Sequence, residues 1–153
     1  MTVHTSAGSK LYIGTRALVP ATDEDYLLVG EIVNLGEFGR VYEVIRHNSL
    51  DQRGTRKFKG TFDDGALAMQ LGQDSDDVGQ IRLLEARDSD YAYNFKIELN
   101  DALDQTGATP TTFTFKGKVF SKTVNVGGPN QIVASNCNIE IDSGTITETE
   151  ASD

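Results

Sequence analysis

The chain has 153 residues, 38% of them hydrophobic and 24% charged, with 14 Lys and Arg against 23 Asp and Glu for a formal net charge of -9. That is the length of one domain able to bury its own core, with the composition of a folded globular protein, which excludes disorder as the ground state. The negative total argues against nucleic-acid binding by general phosphate attraction. One cysteine, Cys137, leaves no internal disulfide and points to a reducing compartment.

The opening MTVHTSAGSK lacks the apolar core of a signal peptide. No stretch approaches the roughly 20 apolar residues of a membrane helix. A soluble, cytosolically made protein is expected. Residues 1–9 read as a flexible N-terminal arm, 10–146 as a single domain and 147–153 as a loose acidic tail.

Lys10 to Val19 offers a short strand, ended by Pro20 and the acidic turn Thr22 to Asp25. Leu27 to Leu35 is apolar on both faces and predicts one covered strand. Gly36 and Gly39 punctuate a loop, and Val41 to Arg46 resumes as a strand before the polar loop His47 to Arg56. In the next strand Phe58 and Phe62 share a face with Arg56 and Asp64, and Lys57, Lys59, Thr61 and Asp63 share the other. The apolar parity then switches to Leu67, Met69 and Leu71, which predicts a β-bulge near Asp64-Gly65. Asp74 to Arg87 is the one convincing helix, capped by Asp74 or Ser75, with an apolar stripe of Val78, Ile81 and Leu84 and an Arg82–Glu85 pair. Tyr91, Tyr93, Phe95, Ile97 and Leu99 alternate as a half-buried strand, and turn chemistry at Gly107 and Pro110 follows. Thr112 to Val126 is a long strand with a second bulge near Lys118 to Ser121. It returns through Gly127-Gly128-Pro129-Asn130 into Val133 to Ile141. The fold class is mainly β: a β-sandwich or partly closed barrel with one flanking α-helix.

Candidate chemistry is sparse. His4 and His47 lie on an arm and a loop, and Cys137 belongs to an apolar strand face, which makes no zinc pattern. Asp74, Asp76, Gly79 and Glu85 fall at calcium-loop spacing, but Val78 occupies a ligand position and no helix precedes, so helix capping is the better account. Asp63-Asp64 and Asp23-Glu24-Asp25 read as solvated turns, and Cys137 as a buried structural thiol. No nucleophile elbow or phosphate-cradling glycine pattern appears. The expectation is a protein without catalysis, metal or cofactor.

Arg53, Arg56, Lys57 and Lys59 concentrate positive charge in this acidic chain. Three readings follow: a solvated hairpin loop, a nucleic-acid contact with Phe58 interleaved, or a loop that meets an acidic surface of another copy. The last fits the whole chain best, because such head-to-tail contacts join an electrostatically polar subunit into rings or filaments.

The motif Arg56-x-Phe58-x-Gly60-x-Phe62-x-Asp64-Gly65, with its alternating apolar continuation, resembles the major tail tube proteins of long-tailed, non-contractile bacteriophages and phage-derived gene transfer particles. The polar loop HNSLDQRG before it, the short helix after it, the strand Tyr93 to Leu99 and the hairpin PTTFTFKGKVFSKTVNVGGPNQIVASNCNIEID extend the likeness from about Lys10 to Gly144. The resemblance implies a β-sandwich with a helix, assembled as hexameric rings stacked into a hollow tube. DNA passes down the lumen, a tape-measure protein occupies it during assembly, and tail terminator and distal-tail proteins close its ends. It places an inter-ring contact loop at His47, Asn48, Asp51, Arg53, Arg56, Lys57 and Lys59. It places the tube-wall strand and bulge at Phe58, Gly60, Phe62, Asp64, Gly65, Leu67, Met69 and Leu71. The inner-tube protein of a contractile secretion apparatus, which shares that architecture, and a monomeric anion-binding β-sandwich are the alternatives.

Overall fold

The structure, a computed structural model, describes residues 3–17, 26–102 and 107–152. In chain order it contains β1 (Lys10–Arg16), β2 (Leu27–Val29), β3 (Ile32–Asn34), β4 (Val41–His47), β5 (Arg56–Asp63), β6 (Ala66–Gly72), α1 (Val78–Asp88), β7 (Tyr93–Glu98), β8 (Thr112–Asn125), β9 (Ala134–Ile141) and β10 (Thr147–Thr149). One antiparallel sheet runs β2-β1-β7-β8-β9-β6-β3, with β10 added to β8, and β4 and β5 form a separate two-stranded sheet. The acidic turn expected at 22–25 lies outside the described residues.

Alternation builds the core. Leu67, Met69 and Leu71 of β6 lie on the same buried side as their β9 neighbours Cys137 and Ile139. Phe95 of β7 stacks on Phe115 of β8 at 5.4 Å, and Leu11 and Ile13 of β1 extend the layer. Leu83 and Ala86 of α1 cover it. The bulge expected in β8 falls between Val119 and Ser121. Beyond it Lys122, not an apolar residue, takes the inward position opposite Cys137. Its Nζ donates to Gln73 Oε1 at 3.1 Å, and burial pushes the ammonium pKa down.

Three expectations need correction. The segment Leu27 to Leu35 is not one covered strand but β2 and β3, broken at Gly30-Glu31, where Glu31 adopts φ 62°. These two short strands are the opposite ends of the sheet's strand order, so the sheet curls toward closure at this seam without closing. Gln80, buried, holds the seam: its Nε2 donates to the Gly30 and Gly72 carbonyls at 3.2 and 2.9 Å, and its Oε1 accepts from the Asp74 N–H at 3.1 Å.

The helix is the second. It begins at Val78, with Asp77 and not Asp74 or Ser75 as its N-cap; the Asp77 carboxylate accepts from the N–H groups of Gln80 and Gly30. Its buried face is Gly79, Gln80, Leu83 and Ala86, while Val78 and Ile81 point to solvent. Gly79 sets that rotation, since a Cβ there would lie 2.3 Å from the Leu28 carbonyl oxygen. Only glycine lets the helix backbone approach β2 so closely. At the C-terminus, Thr147–Thr149 pairs with β8 as β10 where the sequence suggested a loose tail.

Candidate assembly surface

The basic loop and its flanking strands form the β4–β5 hairpin, and it stands away from the body. Every residue of β4 is exposed, as is every residue of β5 except the half-buried Gly60. An isolated two-stranded hairpin is marginal in water and carries two unpaired edges. This one must therefore be held from its base.

The base is built around Asp64, where β5 passes into β6. Its side chain is only 1% exposed. The carboxylate accepts from Gly144 N–H at 2.6 Å and Arg40 Nε at 3.1 Å, while the Ser143 hydroxyl oxygen accepts from the Asp64 N–H at 3.2 Å. Arg40 lies just before β4, so one carboxylate ties both hairpin strands to the β9–β10 turn. The Arg40 guanidinium also stacks over the Phe62 ring at 3.9 Å. Asp63 does something else: its Oδ1 accepts from the Gly65 N–H at 2.8 Å, closing the turn that Gly65 makes with φ 81°. The expected bulge at Asp64-Gly65 is thus a hinge, and Asp64 is a buried anchor where the sequence suggested a solvated turn.

A further irregularity at Gly60-Thr61 re-sorts the faces. Tyr42 pairs with Phe62 but Val44 pairs with Lys59, so Phe62 lies with Lys57 and Lys59, not with Phe58. One face carries Tyr42, Val44, Arg46, Lys57, Lys59 and Phe62, with Lys59 Nζ 4.9 Å from the Tyr42 ring centroid and the Tyr42 and Phe62 rings 5.5 Å apart. The other carries Val41, Glu43, Ile45, Phe58 and Asp63, with His47 and Arg56 nearer the tip. Arg46 stands directly opposite Lys57, a like-charged pair that destabilises an isolated hairpin and favours an acidic partner.

The expected contact residues therefore do come together. His47, Arg56, Lys57 and Lys59 sit on the distal strands, and Asn48, Asp51 and Arg53 occupy the connecting loop. Within that loop Ser49 Oγ donates to Asp51 Oδ1 at 2.5 Å, and Arg56 Nη2 reaches Gln52 Oε1 at 3.4 Å. The expected wall residues divide: Phe58 and Phe62 are exposed on the hairpin, whereas Leu67, Met69 and Leu71 are core. Sequence reasoning missed Arg40, Ser143 and Gly144. An arginine beside Gly39 and an Asp-Asp-Gly hinge are visible in sequence, but nothing local says that they meet.

Burial pushes the Cys137 thiol up to about 12. Among the described residues no three His, Cys, Asp or Glu side chains converge to hold a metal.

The arrangement is a mainly β body with a protruding hairpin, and that fold is shared with components of phage tails and injection apparatus. No family model matches the sequence, and no curated protein matches it. The structural likenesses are extensive, however. The chain is similar to a component of the anti-feeding prophage baseplate, determined with 6-fold symmetry, at TM-score 0.73 and 14% identity over 98% of both chains. It is similar to a component of the sheath/tube terminator of an extracellular contractile injection system (TM-score 0.67, 10% identity, 97% of this chain and 98% of that one). It is similar to the SPP1 tail tube at TM-score 0.65 and 10% identity, over 93% of this chain and 77% of that one. At such identities the likeness establishes the fold, a mainly β fold like that of tail tube components.

Proposed function

We propose that the chain is the structural subunit of a phage-type tail tube, forming hexameric rings that stack into a hollow tube through which DNA passes. The observation that carries this reading is the β4–β5 hairpin, exposed on both faces and anchored only at its base, on a body with the fold of tube components. A hairpin in that state gains its missing contacts by assembly. The loop residues His47, Asn48, Asp51, Arg53, Arg56, Lys57 and Lys59 join one ring to the next, their positive charge meeting carboxylates of the neighbouring copy. Tape-measure, terminator and distal-tail proteins are the expected further partners, and a virion or phage-like particle assembled in the bacterial cytoplasm is the expected location.

The test is charge reversal. Replacing Arg53, Arg56, Lys57 and Lys59 together by Glu stops tube growth, read by sedimentation, and leaves a folded subunit by circular dichroism. Tubes that grow normally in physiological salt refute the electrostatic stacking. A second reading, a tube component of a contractile injection apparatus, is favoured by the similarity to the extracellular contractile injection system. Genes for a sheath and its disassembly machinery beside this one would decide for it.

A further inference from the structure

The register of β4 on β5 sorts the hairpin's charge unevenly. Arg46, Lys57 and Lys59 stand on one face, while both acidic residues of the two strands, Glu43 and Asp63, stand on the other. That face carries three cations and no carboxylate, in a chain of net charge -9. All three cations are exposed. Arg46 and Lys57 are directly cross-strand, and Lys59 follows Lys57 two residues along β5, roughly 7 Å away.

Two rings brace this row. Tyr42 and Phe62 pack 5.5 Å apart, each 37% exposed, and Lys59 Nζ lies 4.9 Å from the Tyr42 centroid. Arg40 covers Phe62 at 3.9 Å and is in turn held by Asp64. The rings orient cations; they are not open platforms for bases. A fixed row of like charges repels itself, and a dense, regular anion relieves that repulsion best. The phosphate backbone of duplex DNA is such an anion, with one charge per about 1.7 Å of helix axis. The acidic run at residues 74–90 of a second copy fits less well. There Arg82 and Arg87 interleave with the carboxylates, Asp77 caps the helix, and Asp88 pairs with Arg87.

We propose that the Arg46–Lys57–Lys59 face of the hairpin binds the phosphate backbone of duplex DNA. Backbone contacts of this kind carry no sequence information. The inference goes beyond the tube reading and divides the basic cluster by face. Lys57 and Lys59, given to the ring contact by their position along the chain, turn to the DNA. Arg53 in the connecting loop and Arg56 on the opposite face keep the ring contact. The negative remainder of the chain holds the binding weak, so DNA touched by many copies still slides.

Anisotropy of a fluorescein-labelled duplex of mixed sequence, titrated with the full chain at several salt concentrations, tests the assignment. Three phosphate contacts give a slope of log K against log salt of about -2.7, an affinity loss of about 40-fold between 50 and 200 mM salt. Lys59→Gln makes the slope shallower by about 0.9, and Arg46→Gln, Lys57→Gln and Lys59→Gln together abolish binding. Arg53→Gln with Arg56→Gln leaves the slope unchanged. All these positions are exposed, so each variant keeps the wild-type circular dichroism. The assignment is overturned by a triple variant that binds like the wild type, or by an Arg53/Arg56 variant whose slope changes as much as that of Lys59→Gln. Polyglutamate that displaces the probe as well as unlabelled duplex, or a single strand bound more tightly than the duplex, also overturns it. Sedimentation of the same samples separates the two readings. Tubes that form from protein without DNA affinity sink this inference alone; subunits that bind DNA and never assemble sink the tube reading alone.

Discussion

Replacing Asp64 by Ala separates the hairpin's anchorage from the stability of the body. The substitution removes the acceptor of the 2.6 Å bond from Gly144 N–H at a site where the side chain is 1% exposed, and leaves that donor with no partner. A hydrogen bond to a charged acceptor contributes about 1.5–3 kcal/mol, and relief of the carboxylate's own desolvation returns part of it. A net loss of about 2 kcal/mol follows. The Arg40 contact adds little to stability because the guanidinium is 41% exposed, but it is what ties β4 to the hinge. Chemical denaturation below the assembly concentration measures the loss, which corresponds to about 4–8 °C in melting temperature for a chain of this size. Hydrogen exchange locates it: amides of Val41–His47 and Arg56–Asp63 exchange faster in the variant, and those of Ala66–Gly72 and Ala134–Ile141 much less so. A loss under about 0.5 kcal/mol, or faster exchange spread evenly through the sheet, refutes Asp64 as the hairpin's anchor.

Other substitutions probe the body. Gly79→Ala gains helix propensity but drives a methyl into the Leu28 carbonyl, so it destabilises by about 1–3 kcal/mol in denaturant melts, where a surface glycine would stabilise. The Cys137 thiol, raised to about 12, resists alkylation at pH 8 in the folded protein and reacts at the ordinary rate once denatured. Lys122 has its folded pKa lowered, so the unfolded chain binds the extra proton between that pKa and the unfolded value of about 10.4. The penalty for burying the ammonium is therefore full below the folded pKa and fades as pH rises through that window. Wild-type stability rises there relative to Lys122→Met, and a constant difference between the two melts contradicts the buried charge.

The long strands were legible because period-two alternation is a local signal: Leu67, Met69 and Leu71, or Tyr93, Phe95 and Ile97, announce one buried face without reference to the rest of the chain. The bulge in β8 was legible for the same reason, as a change of parity. The helix stripe was misread because two faces of α1 carry apolar residues, and the choice between them is made by the close approach of Gly79 to β2, a tertiary fact. The break at Gly30-Glu31 depends on Asp77 and Gln80, which are distant in sequence. Of the candidate surface, the basic cluster was plain in the sequence. Its sorting onto two faces depends on a register shift at Gly60-Thr61, and its attachment depends on Asp64 meeting Gly144, 80 residues away. Neither has a local signature.

Electron microscopy of the purified protein in negative stain, across a concentration series at physiological salt, tests the central claim most directly. The account predicts six-fold rings that stack into hollow tubes as concentration rises. A particle that stays monomeric throughout the series contradicts it.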